Sequence, residues 1–287
     1  MMDNPSTCPG SSTTIYTSLK SDQPIGIFDS GIGGLTVASA ISKLMPNEKL
    51  IYFGDTAHHP YGDKSPDSIR RYSKEIARFL EMRNCKVILV ACNTASAQAY
   101  HTLCQAYAKH LVVMDVIYPV VKHVAENYKE KRIGVIATKG TVISRIYPRR
   151  IKKINSDTNI STLATPLLAP MIEEGFFNNN ISRAVVDSYL SKNALRGIEV
   201  LILGCTHYPL IRGEVEHYFG SNFPIIDSAE CTANFLLKTL IEYNLLSDLP
   251  NGDHEFYVSD YTDAFEHSSK LFFGNEIHLQ KINIWSP

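Results

Sequence analysis

Short apolar runs alternate with amphipathic stretches along most of the chain, from Pro24 to about Tyr243. The pattern predicts buried strands over 24–28, 50–53, Val87–Val90 and 112–116. Between them it predicts helices. A glycine-rich turn leads into one over 35–44, and Ile69, Tyr72, Ile76, Phe79 and Leu80 fall at helical spacing within 68–82. Two more helices are predicted over 95–109 and 120–128. Strands alternating with helices argue for an α/β fold, with parallel sheets covered by helices on both faces.

The pattern occurs twice. Ile25-Gly26-Ile27-Phe28-Asp29-Ser30-Gly31 is similar to Ile133-Gly134-Val135-Ile136-Ala137-Thr138-Lys139-Gly140. Val87-Ile88-Leu89-Val90-Ala91-Cys92-Asn93-Thr94 is similar to Val200-Leu201-Ile202-Leu203-Gly204-Cys205-Thr206-His207, in the same order. Apolar strands look alike by chance, but chance does not easily put a cysteine at the matching strand end of both copies. Two similar α/β domains are therefore expected, one over 22–113 plus 227–287 on the Cys92 side and one over 114–226 on the Cys205 side. Ligands of open parallel sheets sit beyond the carboxyl ends of the strands, where Asp29, Ser30, Cys92 and Cys205 all fall. If the domains face each other about a pseudo-twofold, they enclose one cleft with a thiol on each side.

Composition narrows the functional classes. A formal net charge of -1 over 287 residues gives no whole-chain attraction to nucleic acid or to an anionic membrane. No apolar stretch approaches the roughly 20 residues that span a bilayer. The Ser/Thr-rich residues 1–21 lack the apolar core of a secretory signal and read as a disordered extension. Six cysteines spread thinly and without a CxxC pair do not look like a disulfide framework, so a reduced, cytoplasmic setting is expected.

Two thiols at matching strand ends suit inversion at a carbon acid. One group removes the α-proton from one face while another returns a proton to the opposite face. A thiol's ordinary pKa of about 8.5 suits both tasks. Cys92 lies where a strand enters a helix, whose N-terminus is expected to lower its pKa. Cys205 has His207 two residues on, which can hydrogen-bond it or take a proton, and Asp29 is a candidate to tune Cys92. For Cys8, Cys85, Cys104 and Cys231 the bland reading, an inert residue, is preferred.

Asp29-Ser30-Gly31-Ile32-Gly33-Gly34 is neither a Walker loop nor a GxGxxG fingerprint. It reads equally as an anion-holding turn or as a tight turn in which Asp29 or Ser30 caps the next helix. The adjacent His58 and His59 are expected to diverge, and no cluster with coordination spacing accompanies them, so no metal is assigned. A GxSxG nucleophile elbow is missing.

Four segments, Asp29-Ser30-Gly31-Ile32-Gly33-Gly34, Pro60-Tyr61-Gly62, Cys92-Asn93-Thr94-Ala95-Ser96 and Gly204-Cys205-Thr206-His207-Tyr208-Pro209-Leu210, together resemble the signature motifs of glutamate racemases. Ala137-Thr138-Lys139-Gly140-Thr141 and Ile172-Glu173-Glu174-Gly175 resemble two further family motifs, all in order from about Pro24 to beyond Cys231. The resemblance implies two α/β domains about a pseudo-twofold with the active site between them. It also implies conversion of L- to D-glutamate for bacterial peptidoglycan without pyridoxal phosphate, metal or other cofactor. By the same resemblance Cys92 acts on the α-proton of the D-enantiomer and Cys205 on that of the L-enantiomer, assisted by Asp29, Glu173 and His207. The substrate contacts it implies are Asp29, Ser30, Tyr61, Gly62, Asn93, Thr94, Thr206 and His207. Glu173 is preferred over Glu174 for the assisting role. Members are commonly dimers, so a homodimer is expected. Thr165-Pro166 stands where the family often has Cys-Pro.

Three other readings stay open on sequence. An aspartate racemase is disfavoured by His207, because such relatives tend to carry Glu there. A cysteine hydrolase or amidotransferase would use one Cys–His pair and leave the second thiol idle. An amino-acid-binding protein would keep the glycine turns and drop the thiol chemistry.

Overall fold

A computed structural model describes residues 16, 18–250, 252–261, 263–273 and 277–285 of the chain. The first part runs β1 (Ile25–Asp29), α1 (Gly34–Leu44), β2 (Leu50–Gly54), α2 (Pro66–Met82), β3 (Val87–Val90), α3 (Asn93–Tyr107), β4 (Val112–Asp115) and α4 (Ile117–Asn127). The second part runs β5 (Ile133–Ala137), α5 (Lys139–Ser144), α6 (Ile146–Ile154), β6 (Ile160–Ala164), α7 (Leu168–Glu173), α8 (Asn180–Leu190), β7 (Val200–Gly204), α9 (Arg212–Phe219) and β8 (Ile225–Asp227). The chain then returns to the first sheet through α10 (Ser228–Glu242), β9 (Glu255–Val258), α11 (Asp263–Phe273) and β10 (Leu279–Lys281).

Two sheets result, ordered β10-β9-β2-β1-β3-β4 and β6-β5-β7-β8, and every pairing in them is parallel. The β2-β1-β3-β4 core of one sheet has the same order as β6-β5-β7-β8 of the other, so the sequence repeat is a repeat of topology. In each copy the strand that ends at a cysteine pairs with the strand that opens the motif: Ile25 with Val87, and Ile133 with Val200.

Local sequence explains these elements. Ser65 accepts the Ser68 N–H and Pro66 sits in the first turn, which starts α2. Its Ile69, Tyr72, Ile76 and Leu80 form the buried stripe. Strands β1, β3, β5 and β7 are buried throughout, as expected of central parallel strands covered on both faces. Helices α1 and α10 pack over one face of the first sheet and α2 and α3 over the other. The second sheet is covered by α7, α8 and α9 on one side and by α4 and α6 on the other. Among the described residues no helix is long and apolar enough to cross a membrane.

Three expectations need correction. Strand β4 holds the first sheet through Asp115 and β8 holds the second through Asp227, so the expected boundaries after 113 and 226 cut through strands. Of the expected disordered extension, residues 1–15 and 17 lie outside the described residues, but Tyr16 is buried against Tyr243 and its hydroxyl donates to the Ala108 carbonyl. Helix α3 begins at Asn93, two residues ahead of the expected start, because Cys92 itself is the cap.

Candidate active site

The carboxyl ends of β1, β3 and β7 converge on one small cavity. Asp29 and Ser30 enter it from the end of β1, Cys92, Asn93 and Thr94 from the end of β3, and Cys205, Thr206 and His207 from the end of β7. Both thiols therefore line one cavity and come from different sheets. Each cysteine is 6% exposed.

The surroundings of the two thiols differ. Cys92 caps α3, and its Sγ accepts the Ala95 N–H at 3.5 Å and lies 3.8 Å from Ser30 Oγ. Ser30 Oγ in turn donates to Asp29 Oδ1 at 3.0 Å. Burial pushes the Cys92 thiol well up, the nearby Asp29 carboxylate adds to this, and the Ala95 N–H offsets only part. The expected lowering by the helix N-terminus is thus corrected: burial outweighs a single helix N–H. No long helix follows β7; a 3-10 turn over Tyr208–Ile211 stands there. Instead of a helix N–H, Cys205 Sγ has His207 Nδ1 at 3.5 Å.

His207 is the junction of a buried charge pair. Its Nε2 is bonded to Glu173 Oε1, which also accepts the Ile32 N–H at 3.4 Å. Burial alone would lower the imidazole's pKa, but Glu173, and Cys205 after it, hold it well above its ordinary value. Burial likewise works against Glu173, yet His207 and then His59 hold its carboxyl below the usual range. Asp29 is raised by burial, opposed by the His207 charge and by Thr206, whose Oγ1 donates to Oδ2.

Glycine permits this close approach. A Cβ on Gly33 would come within 2.7 Å of Thr206 Oγ1 and run into the His207 ring. One on Gly31 would lie 2.6 Å from Glu173 Oε1. Gly33 also caps α1, with no side-chain cap, so the reading in which Asp29 or Ser30 caps that helix is overturned. Asp29 turns to Ser30 and Thr206 instead.

The anticipated residues are not all alike in position. Asp29, Ser30, Gly62, Asn93, Thr94, Thr206 and His207 line the cavity with the two thiols. Glu173 reaches the site through His207, whereas Glu174 is exposed. Tyr61 is buried away from the cavity, donating to Asp55 Oδ2 at 2.6 Å, and so supports the loop that carries Gly62. His58 and His59 diverge as expected: His58 stacks on Tyr72 and bonds Asp55, while His59 faces the cavity. His59, Pro60, Thr138 and Ala169 also line it without having been anticipated. Thr138, whose Oγ1 is 2.8 Å from Thr94 Oγ1, sits in a recognised motif and could have been found there. Ala169 carries no chemical signal.

Residues 35–236 match the profile of the Asp/Glu/hydantoin racemase family. The glutamate racemase of Geobacter metallireducens is 42% identical over 254 residues, which cover 88% of this chain and 93% of that one. Among solved structures, glutamate racemase from Francisella tularensis in complex with D-glutamate is similar at TM-score 0.85 and 37% identity, over 92% of this chain and 98% of that one. Glutamate racemase from Thermus thermophilus in complex with beta-chloro-D-alanine is similar at TM-score 0.81 and 34% identity, over 92% and 98%.

Proposed function

Because the chain belongs to the Asp/Glu/hydantoin racemase family, we propose that it interconverts L- and D-glutamate with Cys92 and Cys205 as the two acid/base groups. The observation that carries this reading is that two thiols from different sheets share one buried cavity. Starting from D-glutamate, a Cys92 thiolate takes the α-proton and the Cys205 thiol gives its proton to the opposite face. The reverse reaction exchanges these roles. In each direction one S–H bond forms, one breaks, and the carbanion-like centre is consumed by the second transfer.

The neighbours divide the work. Cys92 is held protonated by burial and by Asp29, so it needs a place to lose its proton before it acts as a base. Asp29 is such a place, because burial raises its own proton affinity and Ser30 Oγ lies between the two groups. On the other side the charged His207 hydrogen-bonds a Cys205 thiolate through Nδ1, and Glu173 keeps that charge in place. Asn93, Thr94 and Thr206 supply polar contacts to the substrate. The D-glutamate so formed would feed peptidoglycan synthesis in the cytoplasm, as in the family that the motifs resemble.

Comparing turnover of L-glutamate with L-aspartate tests the substrate, and dominant aspartate turnover would overturn it. Cys92→Ala and Cys205→Ala test the machinery. Each is expected to lose about 10²- to 10⁴-fold in rate while glutamate binding persists. Full activity in either variant would remove the two-thiol mechanism.

A further inference from the structure

Asn93 follows Cys92 and lines the cavity, yet half of its side-chain amide is already engaged from elsewhere. Its Oδ1 accepts the hydroxyl of Tyr147 at 2.7 Å. Its Nδ2 is buried and has no partner. Tyr147 belongs to α6, in the second sheet's half of the molecule, whereas Asn93 opens α3 in the first.

An amide can be turned either way, so what fixes it matters. Tyr147 is 1% exposed, and Asn93 Oδ1 is the acceptor its hydroxyl finds among the described residues. With the amide turned over, its NH₂ would donate to the phenol oxygen, and the buried phenol proton would lose the acceptor it has among the described residues, a loss of the kind that costs a full desolvation penalty. The phenol is therefore the donor, Oδ1 the acceptor, and the NH₂ group is left as the free end. Helix α6 is itself anchored: Arg150 Nη1 lies 2.6 Å from Asp115 Oδ2 and its guanidinium packs over the Tyr100 ring at 5.2 Å.

We propose that Tyr147 is a positioning residue for the racemase reaction: it locks the Asn93 amide so that NH₂, and not C=O, meets an anionic oxygen of the substrate. A carboxylate can accept from NH₂ and would be repelled by an amide oxygen. Because the donor comes from the opposite half of the molecule, the substrate contact is correctly set only when the two halves are together. This inference rests on the reading of the cavity as a glutamate site.

The test is a double-mutant cycle on Tyr147→Phe and Asn93→Ala, read by steady-state racemisation and by calorimetric D-glutamate binding. Tyr147→Phe keeps the buried ring and removes only the hydroxyl. It is expected to weaken glutamate binding and raise KM about tenfold, the size of one lost buried hydrogen-bonding partner, with a smaller change in kcat. In the Asn93→Ala background the same substitution is expected to have no further effect on KM, a coupling that a merely structural role would not produce. An equal rise in KM in both backgrounds, or none in either, overturns the proposal. Should Tyr147→Phe fail to fold, wild-type-like glutamate binding by Asn93→Ala would overturn it, and at least tenfold weaker binding would support it. Wild-type protein that neither binds nor turns over glutamate would instead sink the glutamate reading on which this rests.

Discussion

Thr206 Oγ1 donates to Asp29 Oδ2 at 2.9 Å, joining residues 177 apart in sequence at the ends of β7 and β1. The bond is fully buried and ties the two thiol-bearing halves together beside the cavity. It also fixes a carboxylate where water would otherwise solvate it, so Asp29 carries a cost in stability that is spent on function.

That cost has a sign. Burial raises the Asp29 pKa above 3.8, so its neutral form is favoured by folding. Its contribution is complete below about 3.8 and is lost as pH rises through the higher folded value. At neutral pH the ionised group therefore weakens the fold. Asp29→Asn keeps the shape and removes the charge. We expect it to raise the thermal midpoint near pH 7 by about 2–4 °C while racemisation falls at least tenfold. The gain in midpoint should fade as pH is lowered toward 4, which a calorimetric series over pH would show.

Glu173→Gln should move the pH profile. The folded pKa of His207 lies well above 6.5, so its stabilising charge is complete below 6.5 and is lost as pH rises through that folded value. Glu173 lies below 4.5, so its contribution is present above 4.5 and is lost as pH falls. Across neutral pH both charges stand. Without Glu173, burial is left to pull the imidazole down, and the alkaline limb of kcat/KM should shift to lower pH by about one unit or more. The shift must be the same for both enantiomers, because an equilibrium constant of unity fixes the ratio of their kcat/KM values. An unmoved limb would separate Glu173 from catalysis.

Gly33→Ala isolates the effect of close approach. The residue has φ -57 and ψ -40, a conformation alanine adopts freely. The new methyl would nevertheless collide with His207 and Thr206. Expected is a folded protein with unchanged far-ultraviolet circular dichroism and activity reduced about tenfold or more, in line with about 1–3 kcal/mol of overpacking. Wild-type activity would show that the two halves do not need this contact.

The parts that the sequence makes legible are those that depend on local pattern. Paired strings running through Cys92 and Cys205 forecast two similar halves and a cleft shared by both thiols, because a strand's carboxyl end is where a parallel sheet leaves room. Strands β9 and β10 were not delineated; β10 is only three residues, Leu279–Lys281, too short to show a period. What depends on burial was hidden. The rise of the Cys92 thiol comes from desolvation, which no motif encodes, and the helix start suggested the opposite direction. Tyr61 sits in a recognised motif, yet its hydroxyl goes to Asp55, a preference set by the loop's three-dimensional path. Tyr147 lies 54 residues from Asn93, and only the folded chain brings them together.

The two-sided transfer itself is tested most directly by following the first turnovers in D₂O from each enantiomer separately. Two thiols predict that the product carries deuterium at the α-carbon from the outset while recovered substrate keeps its protium, in both directions. Protium carried from substrate into product, or deuterium entering unreacted substrate as fast as product forms, would mean that one group serves both faces and would contradict the assignment of Cys92 and Cys205.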